Sequence, residues 1–454
     1  MRGYMKRTRV YILLLLTSLF PLTVSSADAV PAALHAKIGF HKAIYNADGK
    51  LVPWTAWTIA IDREMNWYLN CPVNDRGYPI FVFTTFMDGT YKPYKTDIIP
   101  CTQDGMGIIS YLKYWEFNGK TNRKVLEWAQ KMGDYLVYET LTPDEGVYPR
   151  FTRSTGDHRD FPLKRASQGD LKYGENVIEP DKGGIAGYAL YKLYYATGEQ
   201  RYFDQALHNA RVLAKNMRKA DAMHAPWPFR VDSVTGKYWG ERNGNMAFIL
   251  RLFDALIEKG YAEFQTPRDA LWHWIKTYQI PAPDSRDANL WIQFFEDMTQ
   301  EDNRNSWAPL EMARYLIEKK ESLDPDWKQD AEKLIQFALK YFSVPEPGGV
   351  IAMVEQDSDM RPWGGACSKL GGVAAMFYAA GGGEKYEEIA YRNLTWMIYH
   401  IDKDGCPAHQ TGDPKLRRGG WQEDCHTDVI HNFMDAISSI PEWAGTWRMI
   451  ELFR

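Results

Sequence analysis

Residues 186–216 read AGYALYKLYYATGEQRYFDQALHNARVLAKN, two stretches with apolar side chains at helical spacing, separated by Gly198. Glycine commonly follows the last turn of a helix, and Glu199 then opens the second stretch. The segment therefore predicts two helices joined by a very short turn, a helical hairpin.

This hairpin pattern recurs along most of the chain. The first helix of each pair is expected to begin near residues 105, 186, 245, 307, 368 and 428. A spacing of roughly 60 residues is too long for the common short helical repeats. The segment from Thr55 to Asn70 is a lone helix that can pair with the last one, so six hairpins can close into a ring. The alternative is an open superhelical solenoid, which needs polar capping repeats that neither end shows.

The two helices of a hairpin differ in composition. First helices are rich in Gly, Ala and aromatic residues, as in LGGVAAMFYAAGGG at residues 370–383, whereas partner helices carry charged stripes, as in EKYEEIAYRNLTWM at residues 384–397. The first helices, poor in charge, are therefore expected to form a buried inner ring and their partners an outer ring.

Long connections lead into the inner helices and are expected to share one rim. They cover residues 71–104, 140–185, 218–244, 279–305, 343–367 and 401–427. That rim also collects the positive ends of the inner-helix dipoles, which suits an anionic ligand.

The N-terminal residues have the pattern of a cleaved secretory signal. The basic residues Arg2, Lys6 and Arg7 precede an apolar run over residues 10–24, and small residues follow it. An uncleaved membrane anchor is the alternative, but the run is shorter than the ~20 apolar residues that span a bilayer. We expect residues 1–27 to be removed and residues 28–454 to form one catalytic domain in the periplasm or outside the cell.

The composition limits the kind of partner. The net charge is −4 and 14% of the residues are aromatic, which indicates neither disorder nor a nucleic-acid partner. Aromatic side chains of exported proteins stack against sugars or fill a helical core, and we expect most of them here to do the second. The expected partner is an oligosaccharide or polysaccharide, with no nucleic acid, no membrane after signal cleavage and an oligomeric state left open.

The five cysteines are expected to meet an oxidising compartment, where pairing is favoured. Cys71 and Cys101 bracket the first long connection, and Cys406 and Cys425 bracket the last, so these two disulfides are predicted. Cys367 is the unpaired one. The alternative is five buried free thiols.

Three short motifs resemble a known family. They are QDGMG at residues 103–107, IEPD at residues 178–181 with ALY at residues 189–191, and YWGERNG at residues 238–244. The hairpins and these motifs resemble the (α/α)6-barrel glycosidases, specifically the unsaturated glucuronyl hydrolases and their rhamnogalacturonyl relatives. Gln103 stands where that family has a His, and the third motif lacks its second Trp. The resemblance implies an all-α toroid of six hairpins that hydrolyses glycosides containing uronic acid.

The candidate catalytic residues are carboxylates at the starts of inner helices. Glycoside cleavage needs one protonated carboxylic acid and a second group that activates water or attacks the anomeric carbon. Asp104 and Asp181 stand where the resembled family places its two aspartates, and Glu241 is a third candidate. Helix dipoles favour the ionised form, so the acid needs burial or a like-charged neighbour to raise its pKa. The alternative role for each Asp is a helix N-cap.

Arginine and aromatic residues in the connections are the candidate substrate contacts, because Arg pairs bidentately with carboxylates. The expected substrate-binding residues are Tyr148, Arg150, Glu179, Trp239, Arg242, Arg304, Trp363 and His426. The resemblance gives Arg242 the role of binding the substrate carboxylate. Residues 402–405 resemble a fragment of a calcium loop, but no Glu follows at the required spacing, so neither a metal nor a cofactor is predicted.

Two other functions stay open at the level of sequence. A polysaccharide lyase or uronyl epimerase needs a base such as a histidine and neutralisation of the uronate, and either reaction fits the same toroid. A non-catalytic periplasmic glycan-binding protein needs an aromatic platform without a facing pair of carboxylates.

Overall fold

The structure is a computed structural model that describes residues 37–84, 86–95, 99–155, 173–294, 302–408, 418–421 and 425–443. The predicted signal peptide, residues 1–27, lies outside the described residues, and its cleavage stays a prediction.

The described part of the chain is built from twelve α-helices. They are α1 (Trp57–Leu69), α2 (Pro100–Phe117), α3 (Arg123–Tyr138), α4 (Pro180–Thr197), α5 (Gln200–Lys215), α6 (Ala247–Glu258), α7 (Gln265–Trp274), α8 (Trp307–Lys319), α9 (Trp327–Phe342), α10 (Gly364–Ala379), α11 (Glu384–Ile398) and α12 (Ile430–Ser439). A π-helical segment, Cys425–Val429, leads into α12.

These helices form six antiparallel pairs arranged in a closed ring. Each even-numbered helix from α2 to α10 packs against the helix that follows it, and α12 packs against α1, as the sequence predicted. Successive even-numbered helices also contact one another around the ring, including α12 with α2. The fold is therefore the predicted toroid of six hairpins, and an open solenoid is excluded.

Small residues allow the inner helices to approach closely. A Cβ atom added at Gly372 of α10 would lie 2.5 Å from Oδ1 of Asn432 on α12, and one added at Gly371 would lie 2.8 Å from Cγ of Leu394 on α11. These distances are too short for any side chain. The glycine pair in α10 therefore decides both the hairpin contact and the inner-ring contact at this position.

Short strands join the long connections to one another. They are β1 (Lys37–Ile38), β2 (His41–Lys42), β3 (Phe86–Asp88), β4 (Pro93–Lys95), β5 (Val177–Ile178), β6 (Arg230–Asp232), β7 (Tyr238–Trp239), β8 (Ser343–Glu346), β9 (Val350–Gln356), β10 (Asp359–Pro362) and β11 (Gly419–Trp421). Strand β11 pairs antiparallel with β3, which joins the connections before α12 and α2, and β5 pairs with β6, which joins those before α4 and α6. A bridge between Asn305 and Gln356 joins those before α8 and α10. The connections thus share the rim at the N-terminal ends of the inner helices.

The inner ring carries more charge than predicted. Glu311 of α8 accepts ion pairs from Arg314 at 2.6 Å, Arg251 at 3.1 Å and Lys369 at 3.1 Å, and all four side chains are buried. Burial alone would raise the pKa of Glu311, but these three cations hold it well below its usual range. Sequence composition did not predict this charge cluster, because each inner helix contributes only one or two charged residues. They come together only in the folded ring.

The structure also corrects the predicted disulfides. Cys71 and Cys406 are buried thiols, so neither the bond from Cys71 to Cys101 nor that from Cys406 to Cys425 is formed. Burial raises the pKa of each of these two thiols to about 12. A short loop brings two cysteines within reach of each other, but only the tertiary arrangement decides whether their Cβ atoms face each other.

Within the described residues, no helix combines the length and the apolar character required to cross a bilayer.

Candidate functional site

A buried group of charged and amide side chains surrounds Asp181 in the first turn of α4. We call it the carboxylate network, and it comprises Glu179, Asp181, Lys182, Arg230, Asn243 and Asn245. Asn243 donates to Oδ1 of Asp181 at 2.9 Å, while Asn245 at 2.9 Å and Lys182 at 3.0 Å donate to Oδ2. Both oxygens of Asp181 therefore act as acceptors, as those of an ionised carboxylate do.

Glu179 completes the network on its other side. Its carboxylate lies 2.9 Å from Nη2 of Arg230 and 3.4 Å from Nζ of Lys182, and all three side chains are buried. Arg230 reaches Glu179 because β6 pairs with β5, the strand that ends at Ile178. The network therefore balances two carboxylates with two cations without solvent.

The alternative role of a helix cap does not apply to either aspartate. The N-cap of α4 is Glu179 and that of α2 is Ile99, and neither residue makes a capping hydrogen bond through its side chain. Asp181 lies inside the first turn of α4 and Asp104 inside α2. Neither carboxyl group therefore serves as a helix N-cap.

An aromatic stack links the network to the start of α12. Nζ of Lys182 lies 3.9 Å from the ring centroid of Phe294, which stacks on Trp307 at 4.4 Å. On the other side, Nζ of Lys369 lies 3.6 Å from the ring of Trp307. Asp428 accepts hydrogen bonds from Nε1 of Trp307 at 2.9 Å and from Lys369 at 3.0 Å. A second lysine and carboxylate pair therefore lies across the stack from the first.

A second buried group, between α1, α2 and the π-helical segment, has the opposite character. We call it the neutral cluster, and it comprises Glu64, Asp104, Tyr111 and His426. All four side chains are buried. Both carboxyl groups, the phenol and both imidazole nitrogens lack a hydrogen-bond partner among the described residues. Unpartnered polar atoms are rare in protein interiors, which makes this group a candidate for chemistry.

The geometry of α2 places the members of the neutral cluster together. Asp104 and Tyr111 are seven residues apart and share one face of the helix, with Gly107 between them. A Cβ atom added at Gly107 would lie 3.3 Å from Cε1 of His426. The His426 ring lies 5.9 Å from that of Tyr111 and 4.9 Å from that of Tyr68 on α1. The imidazole is therefore packed between α1 and this face of α2.

Burial determines the protonation of the cluster. It raises the pKa values of Glu64 and Asp104 well above those of ordinary carboxyl groups, and it lowers the pKa of His426 to about 3. Burial therefore favours the protonated form of both carboxyl groups and the uncharged form of the imidazole. Asp104 meets the requirement for a carboxylic acid that can donate a proton.

The two predicted catalytic aspartates lie on adjacent inner helices, and both are buried. A Cβ atom at Gly105 of α2 would lie 3.3 Å from the backbone nitrogen of Ala186, so α2 and α4 touch directly beyond the two aspartates. The hydrogen bonds of Asp181 stay within the carboxylate network, whereas Asp104 belongs to the neutral cluster. Of the predicted binding residues, Glu179 lies in the network and His426 in the cluster.

The third predicted catalytic residue and the predicted uronate ligand lie elsewhere. Glu241 is exposed and forms an ion pair with Arg218 at 2.7 Å. Arg242 donates to the backbone carbonyls of Asp287 at 2.7 Å and Asn289 at 3.4 Å. The structure therefore does not bring either side chain to Asp181, because both are used to fold the connections before α6 and α8.

Two further predicted arginines also have other partners. Arg150 is exposed and pairs with Asp144 at 3.0 Å. Arg304 is held by Asp357, with Nε at 2.9 Å and Nη2 at 3.3 Å from its carboxylate. The first pair lies within the connection before α4, and the second joins the connections before α8 and α10.

The predicted aromatic contacts are distributed around the rim. Tyr148 is buried against Phe151, with ring centroids 5.4 Å apart. Trp239 lies in β7, its ring 5.1 Å from that of Tyr173, and Trp363 is the buried N-cap residue of α10. Of these three residues, Trp239 adjoins the carboxylate network, because β7 pairs with β6 and places Trp239 opposite Arg230.

The sequence analysis missed several members of both groups. Lys182, Asn243 and Asn245 stand inside or beside the quoted motifs, so the motifs themselves carried a signal. No comparable signal marked five other residues, because each is a single polar or aromatic residue within an amphipathic or apolar helix. They are Glu64, Tyr111, Trp307, Lys369 and Asp428. In the described part of the chain, no cluster of three or more His, Cys, Asp or Glu side chains could hold a metal ion.

Comparison with known proteins matches the chain by fold and not by sequence. No protein-family model and no curated protein sequence matches it. A sugar epimerase from a ruminal bacterium has 14% identity and a TM-score of 0.62, covering 84% of this chain and 97% of its own. The cellobiose 2-epimerase of Spirochaeta thermophila has 16% identity and a TM-score of 0.61, covering 85% and 95%. A family 76 glycoside hydrolase from a bovine Bacteroides thetaiotaomicron strain has 12% identity and a TM-score of 0.56, covering 86% and 78%.

The chain shares the fold of these structures, a closed toroid of six helical hairpins. Within this fold, the carboxylate network and the neutral cluster both lie near the rim where the inner helices begin. At such low identity the matches establish the architecture and not the reaction.

Proposed function

We propose that the chain is a glycoside hydrolase in which Asp104 is the proton donor and Asp181 the ionised carboxylate. The observation that supports the proposal is the opposite state of two aspartates on adjacent inner helices. Burial raises the pKa of Asp104 well above its usual range, while Asp181 accepts hydrogen bonds from two amides and one ammonium group. Two carboxyl groups in opposite protonation states are what acid–base cleavage of a glycosidic bond requires.

Each aspartate would then have a defined task. Asp104 donates its proton to the glycosidic oxygen as the bond to the anomeric carbon breaks. Asp181 either takes a proton from the attacking water or attacks the anomeric carbon itself. Lys182 and the two asparagines hold the Asp181 carboxylate in one orientation, since they occupy both of its oxygens.

The substrate class that we propose is an oligosaccharide or polysaccharide fragment. The uronic acid in that substrate stays a prediction from the sequence, because it was based on arginines that have other partners here. Arg150, Arg242 and Arg304 are held by Asp144, by backbone carbonyls and by Asp357 respectively.

The test is a screen of the purified full chain against neutral and uronate-containing oligosaccharides in water enriched in oxygen-18. Hydrolysis yields two products whose summed mass exceeds the substrate by one water, with the label in one product. Elimination yields an unsaturated, ultraviolet-absorbing product without label. Labelled hydrolysis products support the proposal, and elimination or unchanged oligosaccharide contradicts it.

A second candidate function is a sugar epimerase or isomerase, which we propose on the strength of His426. Both nitrogens of its imidazole lack a hydrogen-bond partner among the described residues, and the ring lies against the face of α2 that carries Asp104. Because burial lowers its pKa to about 3, it acts as a base only once a bound substrate raises that pKa. Two of the solved structures that match the fold are described as a sugar epimerase and a cellobiose 2-epimerase.

Deuterium oxide separates the two candidates. An epimerase or isomerase leaves the number of sugar units unchanged and incorporates solvent deuterium at carbon, and His426→Gln should abolish that incorporation. Hydrolysis shortens the oligosaccharide without deuterium at carbon.

A further inference from the structure

A surface depression lies at the C-terminal ends of three inner helices, on the side of the ring opposite to the candidate functional site. It has a volume of about 650 Å³ and is lined from the last turns of α2, α4 and α6. Tyr195 lies near the end of the helix whose first turn carries Asp181. At about 1.5 Å per residue, the two residues are about 21 Å apart. The depression is therefore separate from the candidate active site.

The lining combines aromatic rings with an even balance of charge. Tyr188, Tyr191 and Tyr195 of α4 contribute phenol rings. The charged groups that line it are two carboxylates, on Glu116 and Glu258, and two ammonium groups, on Lys120 and Lys192. Because the charges balance, the lining favours neither an anion nor a cation.

Tyr195 presents a ring that the fold holds in place. Its side chain is 62% exposed, although large aromatic side chains are usually covered. Its hydroxyl group lies 3.2 Å from that of Tyr191, which itself donates to the carbonyl of Ala255 at 2.8 Å. Nζ of Lys259 lies 5.3 Å from the ring centroid of Tyr195. The exposed ring is therefore oriented before any ligand arrives, which lowers the entropic cost of binding.

We propose that this depression is a second carbohydrate-binding site for a short segment of a neutral glycan. The apolar face of a sugar ring stacks on Tyr195, and its hydroxyl groups donate to the carboxylates and accept from the ammonium groups. The volume lies within the range of ligand pockets in proteins, roughly 300–1,000 Å³. Such a site would hold a polymeric substrate on the protein while another segment enters the active site. The proposal rests on the proposed function only for the choice of a glycan as ligand.

The test is native affinity electrophoresis of the full chain in gels that contain soluble α-mannan, mixed-linkage β-glucan or, as the anionic arm, polygalacturonate. This measurement needs no turnover, so its outcome is independent of the proposed hydrolysis. At least one neutral glycan should retard the wild-type chain. In Tyr195→Ala, the apparent affinity calculated from the retardation should fall about tenfold. The matched control is Tyr138→Ala at the end of α3, where a tyrosine is 61% exposed and does not line the depression. It should migrate like the wild type.

Two further variants keep the proposal falsifiable. Tyr195→Phe keeps the ring and should keep most of the retardation, and Ala196→Trp fills the depression and should abolish it. Retardation that persists in Tyr195→Ala, or that disappears in Asp104→Asn instead, would place the binding elsewhere and overturn the proposal. Retardation by polygalacturonate alone, or by none of the three polymers, would overturn it as well.

Discussion

The carboxylate network and the neutral cluster lie beside each other at the start of the inner helices, yet they bury their polar groups in opposite ways. In the network, Asp181 and Glu179 are matched by Lys182 and Arg230 at 2.9 to 3.4 Å. In the cluster, Asp104, Glu64 and His426 have no hydrogen-bond partner among the described residues, and burial shifts their pKa values toward the uncharged forms. In the network, ion pairs offset the free-energy cost of burying charged groups. In the cluster, protonation of the carboxyl groups removes the charge and so avoids that cost.

The side chains packed around each aspartate, and not its position in the helix, therefore determine how its carboxyl group is stabilised. Asp104 and Asp181 both follow a proline that begins an inner helix. Asp181 is held by two amides from the connection before α6 and by Lys182, whereas Asp104 is buried without a hydrogen-bond partner among the described residues. Substitutions in the network and substitutions in the cluster should therefore have different effects on stability and on turnover.

The largest expected effect is on stability, in Lys182→Met. This change leaves Glu179 and Asp181 buried with one cation between them, and the free energy of unfolding should fall by about 3 to 5 kcal/mol. Urea unfolding followed by circular dichroism measures it. The control is Lys340→Met, which removes an exposed ion pair with Asp284 and should leave stability nearly unchanged, since solvent screens such pairs. Equal effects in the two variants would show that the network does not stabilise the fold.

The next effect concerns catalysis and separates the two aspartates. Asp181→Asn and Asp104→Asn should each lower turnover at least about 100-fold, the scale of general acid–base catalysis. Their effects on stability should differ. Asp181→Asn removes a charge that Lys182 needs and should lower the free energy of unfolding by about 1 to 3 kcal/mol. Asp104→Asn replaces a buried carboxyl group, whose uncharged form burial favours, by an uncharged amide and should not lower the free energy of unfolding.

Turnover and thermal unfolding of the same preparations provide both measurements. Asp144→Asn, which removes an exposed carboxylate, is the control for substitution itself. Normal turnover in Asp104→Asn would exclude it as the proton donor, and a large loss of stability there would mean that it is ionised and paired.

A smaller effect is expected from Glu64→Gln, and it should depend on pH. Burial raises the pKa of Glu64 in the folded state, whereas the unfolded chain releases that proton near pH 4. Because the folded state binds the extra proton above that pH, wild-type stability falls as the pH rises toward the raised pKa. Removing the carboxyl group should therefore make the variant more stable than the wild type at pH 7.

Urea unfolding at pH 4 and pH 7 measures this difference, which should be close to zero at the lower pH. Glu263→Gln, which alters an exposed ion pair with Arg211, should show no comparable trend. A variant less stable than the wild type at pH 7 would indicate that Glu64 is ionised in the folded protein.

The smallest effect is expected from Arg242→Lys. Since the guanidinium group donates to backbone carbonyls, lysine keeps one of two contacts and stability should fall by about 0.5 to 1 kcal/mol. The ratio of kcat/KM for a uronide to that for the matched neutral glycoside should stay the same. Loss on the uronide alone would restore the carboxylate-binding role that the family resemblance gave to Arg242.

The fold could be predicted further than the site. Helical periodicity, Gly198 at the end of α4 and the lengths of the connections are local properties, and they were sufficient for six hairpins and a shared rim. For the site, local motifs pointed to Asp104, Asp181 and Glu179. They did not point to Glu64, Trp307 or Asp428, because a single polar or aromatic residue in a helix has no local signature of the partners it will meet.

What the sequence by itself determined is therefore the repeat, the separation of inner from outer helices and the position of two aspartates on one rim, since each depends on residues close together in the chain. Only the tertiary structure decided which charges are paired, which carboxyl groups keep their protons and whether Cys71 and Cys406 form disulfides. Desolvation and charge pairing depend on every group that packs around a side chain. In a ring of six hairpins, those groups come from helices and connections far apart in sequence: Asn243 and Asn245 reach Asp181 from the connection before α6, and His426 reaches α2 from the opposite end of the chain.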